Sequence, residues 1–161
     1  MAKNTTTITA EPGKQELLIT REFDAPRELV FKTITDPQLI PQWWGPRYLS
    51  TEVDKMDLRP GGQWRYINRD AQGTVYAFHG VYHEVLAPER IIDTFEFEGL
   101  PETGHVTLET MRLEALPGAR TRLTVQSIFQ SIADRDGTLE SGMEAGLRDT
   151  YDRLEELLAK M

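Results

Sequence analysis

Cysteine is absent from this 161-residue chain. Thiolate nucleophiles, redox pairs, disulfide staples and cysteine-ligated zinc go with it. Long apolar runs are missing too: the longest, Val75 to Phe78, has four residues, against the roughly 20 that a spanning helix requires. Positive charge is in the minority. Lys and Arg number 18 against 26 Asp and Glu, a net charge of -8, which argues against a nucleic-acid partner whose phosphates need a basic face. The opening MAKNTTTITA has no apolar core and no small-residue cleavage pattern, so no secretory signal is read and a cytoplasmic address is the default. Walker loop, dinucleotide fingerprint and zinc-protease helix are all lacking, and Ser127 has no nucleophile-elbow context. No cofactor is expected.

What remains is a chain of 39% hydrophobic residues with no repeat and no interior linker. Its length fits one core without disulfide or metal support. Residues 1–13, rich in Thr and closed by Glu-Pro-Gly, read as a flexible tail that has the composition of a short edge strand; residues 14–161 read as one domain. Leu17 to Phe23 reads as a strand. Asp24 and Pro26 then suit a helix start, with a short helix to Thr35 and a second from Pro37 to Trp43 or Trp44. Six alternating runs follow: Ser50 to Leu58, Gln63 to Arg69, Val75 to Leu86, Arg90 to Phe97, Val106 to Leu116 and Thr121 to Gln130. The turn residues between them suit an antiparallel meander. Leu139, Met143, Leu147, Tyr151, Leu154, Leu158 and Met161 then recur every three or four residues, which predicts one amphipathic helix over Thr138 to Lys160, on the order of 30 Å long. The architecture read from this order is α+β, with about six to seven antiparallel strands wrapped around the C-terminal helix and two short helices after the first strand.

The words FDAPRELVFKTITDP (Phe23 to Pro37), QWWGP (Gln42 to Pro46), RPGGQWRY (Arg59 to Tyr66) and FHGVYHEVLAPERI (Phe78 to Ile91), followed by the final helix, carry a resemblance. The chain resembles the START-like, or SRPBCC, superfamily with the helix-grip fold, and within it the homologues of the heat-shock-protein-ninety ATPase activator. The resemblance covers Leu17 to Met161. It implies a helix-grip fold with a cavity between sheet and helix, a membership that includes lipid carriers, polyketide cyclases, hormone receptors and co-chaperone domains, and a link to stress response. The eukaryotic activator carries another domain ahead of this one, whereas a short tail precedes Leu17 here.

Given that cavity, period-two alternation selects its walls. Trp64, Tyr66 and Asn68 share one strand face; Phe78 and Tyr82, Phe95, Met111 and Phe129 supply further rows; Met143 and Leu147 face them from the helix, and Trp43 and Trp44 stand at a mouth as a gate. Plain core packing is the competing account of each of them. Several polar tips on an apolar wall favour a ligand. Gly142 to Gly146 is read as permitting close approach to the sheet. His79 and His83 have metal-like spacing, but four residues of strand span about 13 Å, so no metal site is assigned and both are placed on the outer face with Arg65. Asp93, Glu96, Glu98 and Glu102 read as rim charges, and Asp149 with Arg153 and Glu144 with Arg148 as surface pairs on the helix.

Three functions follow. The first is a binding protein for a small apolar or amphipathic ligand. The second is a chaperone partner of the activator type, with Glu96, Glu98 or the helix face in the contact. The third is a cyclase-like or hydrolase-like enzyme using Tyr66, Tyr82 or Asn68, for which Asp93 and Glu109 are the remote candidates for a buried ionisable group. No catalytic residue is assigned, and the chain is read as a monomer or a homodimer.

Overall fold

The structure, a computed structural model, describes residues 4–161; residues 1–3 of the expected tail lie outside the described residues. Eight strands form one antiparallel sheet: β1 (Thr7–Thr9), β2 (Glu16–Phe23), β3 (Ser50–Met56), β4 (Gln63–Arg69), β5 (Val75–Leu86), β6 (Arg90–Phe97), β7 (Thr107–Leu116) and β8 (Arg120–Ile128). Their order across the sheet is β1-β2-β8-β7-β6-β5-β4-β3. From β3 to β8 the chain is a meander, and β2 closes on β8 over eight register pairs from Glu16 with Ile128 to Phe23 with Thr121. The three runs from Gln63 to Phe97 form strands with the bounds read from the sequence. The eighth strand, beyond the expected six to seven, is Thr7–Thr9, paired with β2 at the sheet edge.

Alternation builds the inner face. Leu17, Ile19, Arg21 and Phe23 on β2 are buried, as are Thr121, Leu123, Val125 and Ser127 on β8. Between β2 and β3 the chain crosses to the far edge through α1 (Arg27–Thr35) and a 3-10 turn (Ile40–Gln42). Pro26, not Asp24, takes the cap position of α1. Asp24 accepts instead from Arg120 at 2.8 Å. The second helix read over Pro37 to Trp44 shrinks to that single turn, since Pro41 lies within it and Gly45 leaves it at a φ of +89°.

The single long C-terminal helix is two: α2 (Ile132–Glu140) and α3 (Met143–Leu158). Ser131 caps α2 by accepting from the Asp134 amide at 3.0 Å. Gly142, at φ +83°, turns the chain between them. The apolar period continues across this break, which is why periodicity alone does not reveal it. Sixteen residues leave α3 about 24 Å long. Thr150, Leu154 and Leu158 are its buried residues, and its ends are tied by charge. Arg21 bonds Asp152 and Glu155 on one side; Arg153 donates to the Gly45 and Gln42 carbonyls, and Arg47 to Asp149 and Glu156, on the other. Three of the four charges read as helix surface pairs, Arg148, Asp149 and Arg153, thus connect α3 to other elements, with Arg148 donating to the Thr6 carbonyl.

Candidate functional site

The inner wall of β4, β5 and β6 carries one aromatic cluster. Register places Tyr66 opposite Phe78 and Phe78 opposite Phe97. Ring centroids lie 4.8 Å apart for Trp64 and Tyr66, 5.4 Å for Phe78 and Phe95, and 5.2 Å for Phe78 and Phe97. Trp44 reaches in from the crossover edge-on, 5.0 Å from Tyr66 and 5.3 Å from Phe78. Gly80 makes this wall possible. It faces Trp64 across the ladder, and a Cβ there would lie 1.8 Å from the Thr94 carbonyl oxygen and 2.5 Å from Trp64 Nε1. The indole N–H uses that space to donate to the same carbonyl at 3.2 Å.

Beside the cluster, four neighbouring strands align a polar row. Tyr82 on β5 faces Asp93 on β6, Asp93 faces Glu109 on β7, and Glu109 faces Ser127 on β8. All four share the inner face. The Ser127 hydroxyl donates to Glu109 Oε2 at 3.2 Å. Burial, with Glu109 beside it, pushes Asp93 up to about 9. Burial also pushes Glu109 up to about 7, opposed by the Ser127 hydrogen bond. Like charges directly opposite on a ladder repel, and burial penalises the charged form of each, so a proton stays on the pair near neutrality. Tyr66, Tyr82 and Tyr151 border these acids, and burial raises all three phenols.

Phe78, Phe95, Met111, Asp93 and Glu109 on the sheet, and Leu147 and Tyr151 on α3, are only half-buried although they face inward. Among the described residues no salt bridge and no side-chain hydrogen bond engages the Asp93 carboxyl.

Of the residues selected from the sequence, Trp44, Trp64, Tyr66, Phe78, Phe95 and Tyr82 are brought together here, with Met111 next to Ile91 further along the wall. Trp43 is not at the mouth with Trp44. It is buried and donates its indole N–H to the Thr33 carbonyl at 3.1 Å. Asn68 accepts from Thr51 at 2.9 Å and lies against Gly45, so its amide holds the crossover. Phe129 is buried past the end of β8, and Met143 is half-buried at the start of α3. The Gly146 position faces Pro46 at 3.8 Å rather than the sheet. Asp93, read both as a rim charge and, with Glu109, as a candidate buried acid, is on the inner face, while Glu96 and Glu98 take the outer one with Arg65 and His79. Ile91, Asp93, Phe95 and Phe97 alternate on one face, and that placement was readable from the strand.

No group of three or more metal-ligating side chains occurs among the described residues. Two open clefts lie elsewhere, one of about 350 Å³ beside Asn4, Thr7, Thr20 and Arg122, the other of about 450 Å³ beside Arg27, Glu89 and Arg112. Among the described residues no helix is long and apolar enough to cross a membrane.

A curved antiparallel sheet closing on a C-terminal helix, with an inner face of aromatic and acidic side chains, defines an α+β protein of the helix-grip class. The chain belongs to the family described as activator of Hsp90 ATPase homolog 1-like proteins, whose model matches residues 24–159. Solved structures agree. A protein from Arthrobacter aurescens is similar with a TM-score of 0.86 and 26% identity, over 96% of this chain and 92% of that one. A Mycobacterium smegmatis protein gives 0.82 and 26%, over 96% of each chain. A Rhodobacter sphaeroides protein, at 24% identity and a TM-score of 0.87 over 97% of this chain and 99% of its own, shares the fold. No curated protein sequence matches.

Proposed function

We propose that the protein binds a small amphipathic molecule in the space between the inner sheet face and α3. The observation that carries this reading is the Tyr82-Asp93-Glu109-Ser127 row set beside half-buried aromatic rings. A core built only for stability gains nothing from two opposed carboxyls, which cost free energy unless matched. A ligand's apolar body fits against Trp44, Phe78, Phe95, Met111 and Leu147, with Trp64 behind them; its polar end meets Tyr66, Tyr82 and the acids. Trp44 makes the site observable by fluorescence. Titration with a panel of lipids and aromatic metabolites, followed by Trp emission and by NMR shifts, is expected to give a saturable change that centres on these residues. A panel that leaves every inner-face signal unmoved overturns the reading.

The family description favours a second reading, stimulation of a heat-shock-protein-ninety ATPase through the outer face. Charge reversal at Glu96 or Glu98 would then reduce the stimulation. Unchanged chaperone turnover in the presence of excess protein removes it. An enzymatic role for the acid pair, as general acid and base, requires in addition that a bound compound be converted, which product analysis of the same titrations tests.

A further inference from the structure

Arginine is matched almost everywhere in this fold. Among the described residues every arginine but two donates a side-chain hydrogen bond to a protein acceptor, in most cases a carboxylate. The two exceptions, Arg27 and Arg112, line one cleft, the opening of about 450 Å³ that they share with Arg90, Glu89 and Glu114. Arg27 Nε is in addition buried with no acceptor, the one such side-chain atom among the described residues. A buried donor left without a partner is costly and calls for an explanation. We propose that this cleft binds a phosphate monoester, its terminal oxygens held by the Arg27 and Arg112 guanidiniums.

The cleft exists because β7 outruns β6. Arg90 opposite Arg112 is the last pair between these strands, while Leu113 to Leu116 go on pairing with β8. The Glu89 carbonyl accepts from the Leu113 amide at 2.8 Å. Beyond that bond, Glu114 and Ala115 line the opening together with Arg27, the first residue of α1. No side chain caps α1, so the positive end of its dipole adds to the guanidinium of its first residue.

The charges around the cleft leave room for an anion. Arg90 faces Arg112 directly across the ladder, an arrangement in which like charges repel. The neighbouring carboxylates do not relieve it. Glu84 is taken by Arg90 and Glu114 by Arg122 at 3.4 Å, and Glu89, more than half exposed, lies 4.0 Å from Arg27 Nη1, beyond hydrogen-bond reach. A guanidinium fork matches the geometry of an oxyanion. A phosphate monoester brings about two negative charges and three acceptor oxygens to one point, which suits two forks that meet in one cleft. A dicarboxylate carries the same charge at two separate ends and is the natural competitor. The volume lies in the range of small-molecule sites, and Leu113 and Ala115 supply apolar contact for the rest of the ligand.

The test titrates the isotope-labelled full chain with glycerol 1-phosphate, succinate and glycerol at fixed ionic strength. The amides of Arg27, Glu28 and Leu113 to Leu116 and the Arg27 Nε–H signal report the cleft by NMR. Glycerol phosphate is expected to shift them saturably with a Kd on the order of 1 mM, succinate to bind about threefold more weakly or worse, and glycerol to leave them unmoved. Arg27→Gln and Arg112→Gln are each expected to weaken phosphate binding about tenfold. Arg112→Lys, which keeps the charge and loses the fork, should lose about threefold. Arg59→Gln, at an exposed arginine held by Asp57, is the control and should change nothing; the amide spectrum shows that each variant is folded. Succinate bound as tightly as glycerol phosphate overturns the phosphate assignment. Shifts that fail to saturate by about 20 mM, or an equal loss in Arg59→Gln, overturn the site itself. The reading of the inner wall is decided by other signals, those of Trp44, Phe78 and their neighbours, so the two proposals fail separately.

Discussion

The two faces of β4 to β7 treat their carboxylates in opposite ways. Outside, Glu98 takes the Arg65 guanidinium at 2.8 Å and His79 at 2.9 Å, Asp54 shares Arg65, and Glu52 takes Arg69. Arg65, with burial opposing it and His79 assisting, holds Glu98 down at about 2. Inside, Asp93 and Glu109 lie between aromatic walls with each other for company, and both are pushed up. The strands and the side-chain type are the same, and the side of the sheet decides. Outer carboxylates are compensated and contribute modestly; inner ones oppose folding, which is the kind of local conflict that marks a site.

The comparison breaks most completely if the inner wall is disturbed at Gly80. Gly80→Ala forces a methyl onto the Thr94 carbonyl and into the Trp64 indole. It should cost about 3 kcal/mol or more and shift Trp64 emission; a urea midpoint close to the parent's would show that the wall yields and is not rigid. Next in size is Arg21→Met. Removing a buried cation from Asp152 and Glu155 is expected to cost about 3–5 kcal/mol and to loosen α3, detectable as faster amide exchange along Thr150 to Leu158. A small cost would mean that inner charges are easily released, and the contrast between matched and unmatched acids would lose its force.

How far this contrast was legible in the sequence depends on period and distance. Trp64, Tyr66 and Asn68 alternate visibly along one strand, so their shared face could be read from seven residues. Glu109 meets Asp93 only because β6 and β7 pair in one register, and register is set by contacts far apart in sequence. Asp93 alternates with Ile91 and Phe95, which makes it a candidate buried acid, while its acidic neighbours Glu96 and Glu98 give the same stretch the look of a rim. Gly142 broke the C-terminal helix where an intact apolar period masked the turn. Trp43 and Trp44 are adjacent in sequence and part company because the 3-10 turn directs one indole to the Thr33 carbonyl and the other to the cluster.

Asp93→Asn sharpens the comparison from the inside. Burial and the opposed Glu109 raise the folded Asp93 carboxyl well above the unfolded value of 3.8, so above that value the folded state holds more protons. Stability must then fall as pH rises through that range. The variant removes one of two opposed acids, and at pH 8 it is expected to be about 1–3 kcal/mol more stable than the parent, with a flatter profile from pH 5 to 9. Calorimetric melting across that range checks it, and a parent equally stable at both ends contradicts the unmatched-acid account.

Glu98→Gln is the outer counterpart and the smallest effect. Here the folded carboxyl ionises below the unfolded value of 4.5, so its contribution is present above that pH and is lost as pH falls toward about 2. Partial exposure of both partners and salt screening hold it to about 0.2–1 kcal/mol at neutral pH. Parent and variant should therefore differ slightly at pH 7, differ less in about 1 M salt, and converge near pH 2. The two carboxyls thus predict pH slopes of opposite sign on opposite faces of one sheet. If Glu98→Gln stabilised the protein at pH 7, as Asp93→Asn is expected to at pH 8, carboxylate matching would not distinguish the faces, and the acid pair would lose its standing as the exceptional feature of the inner wall.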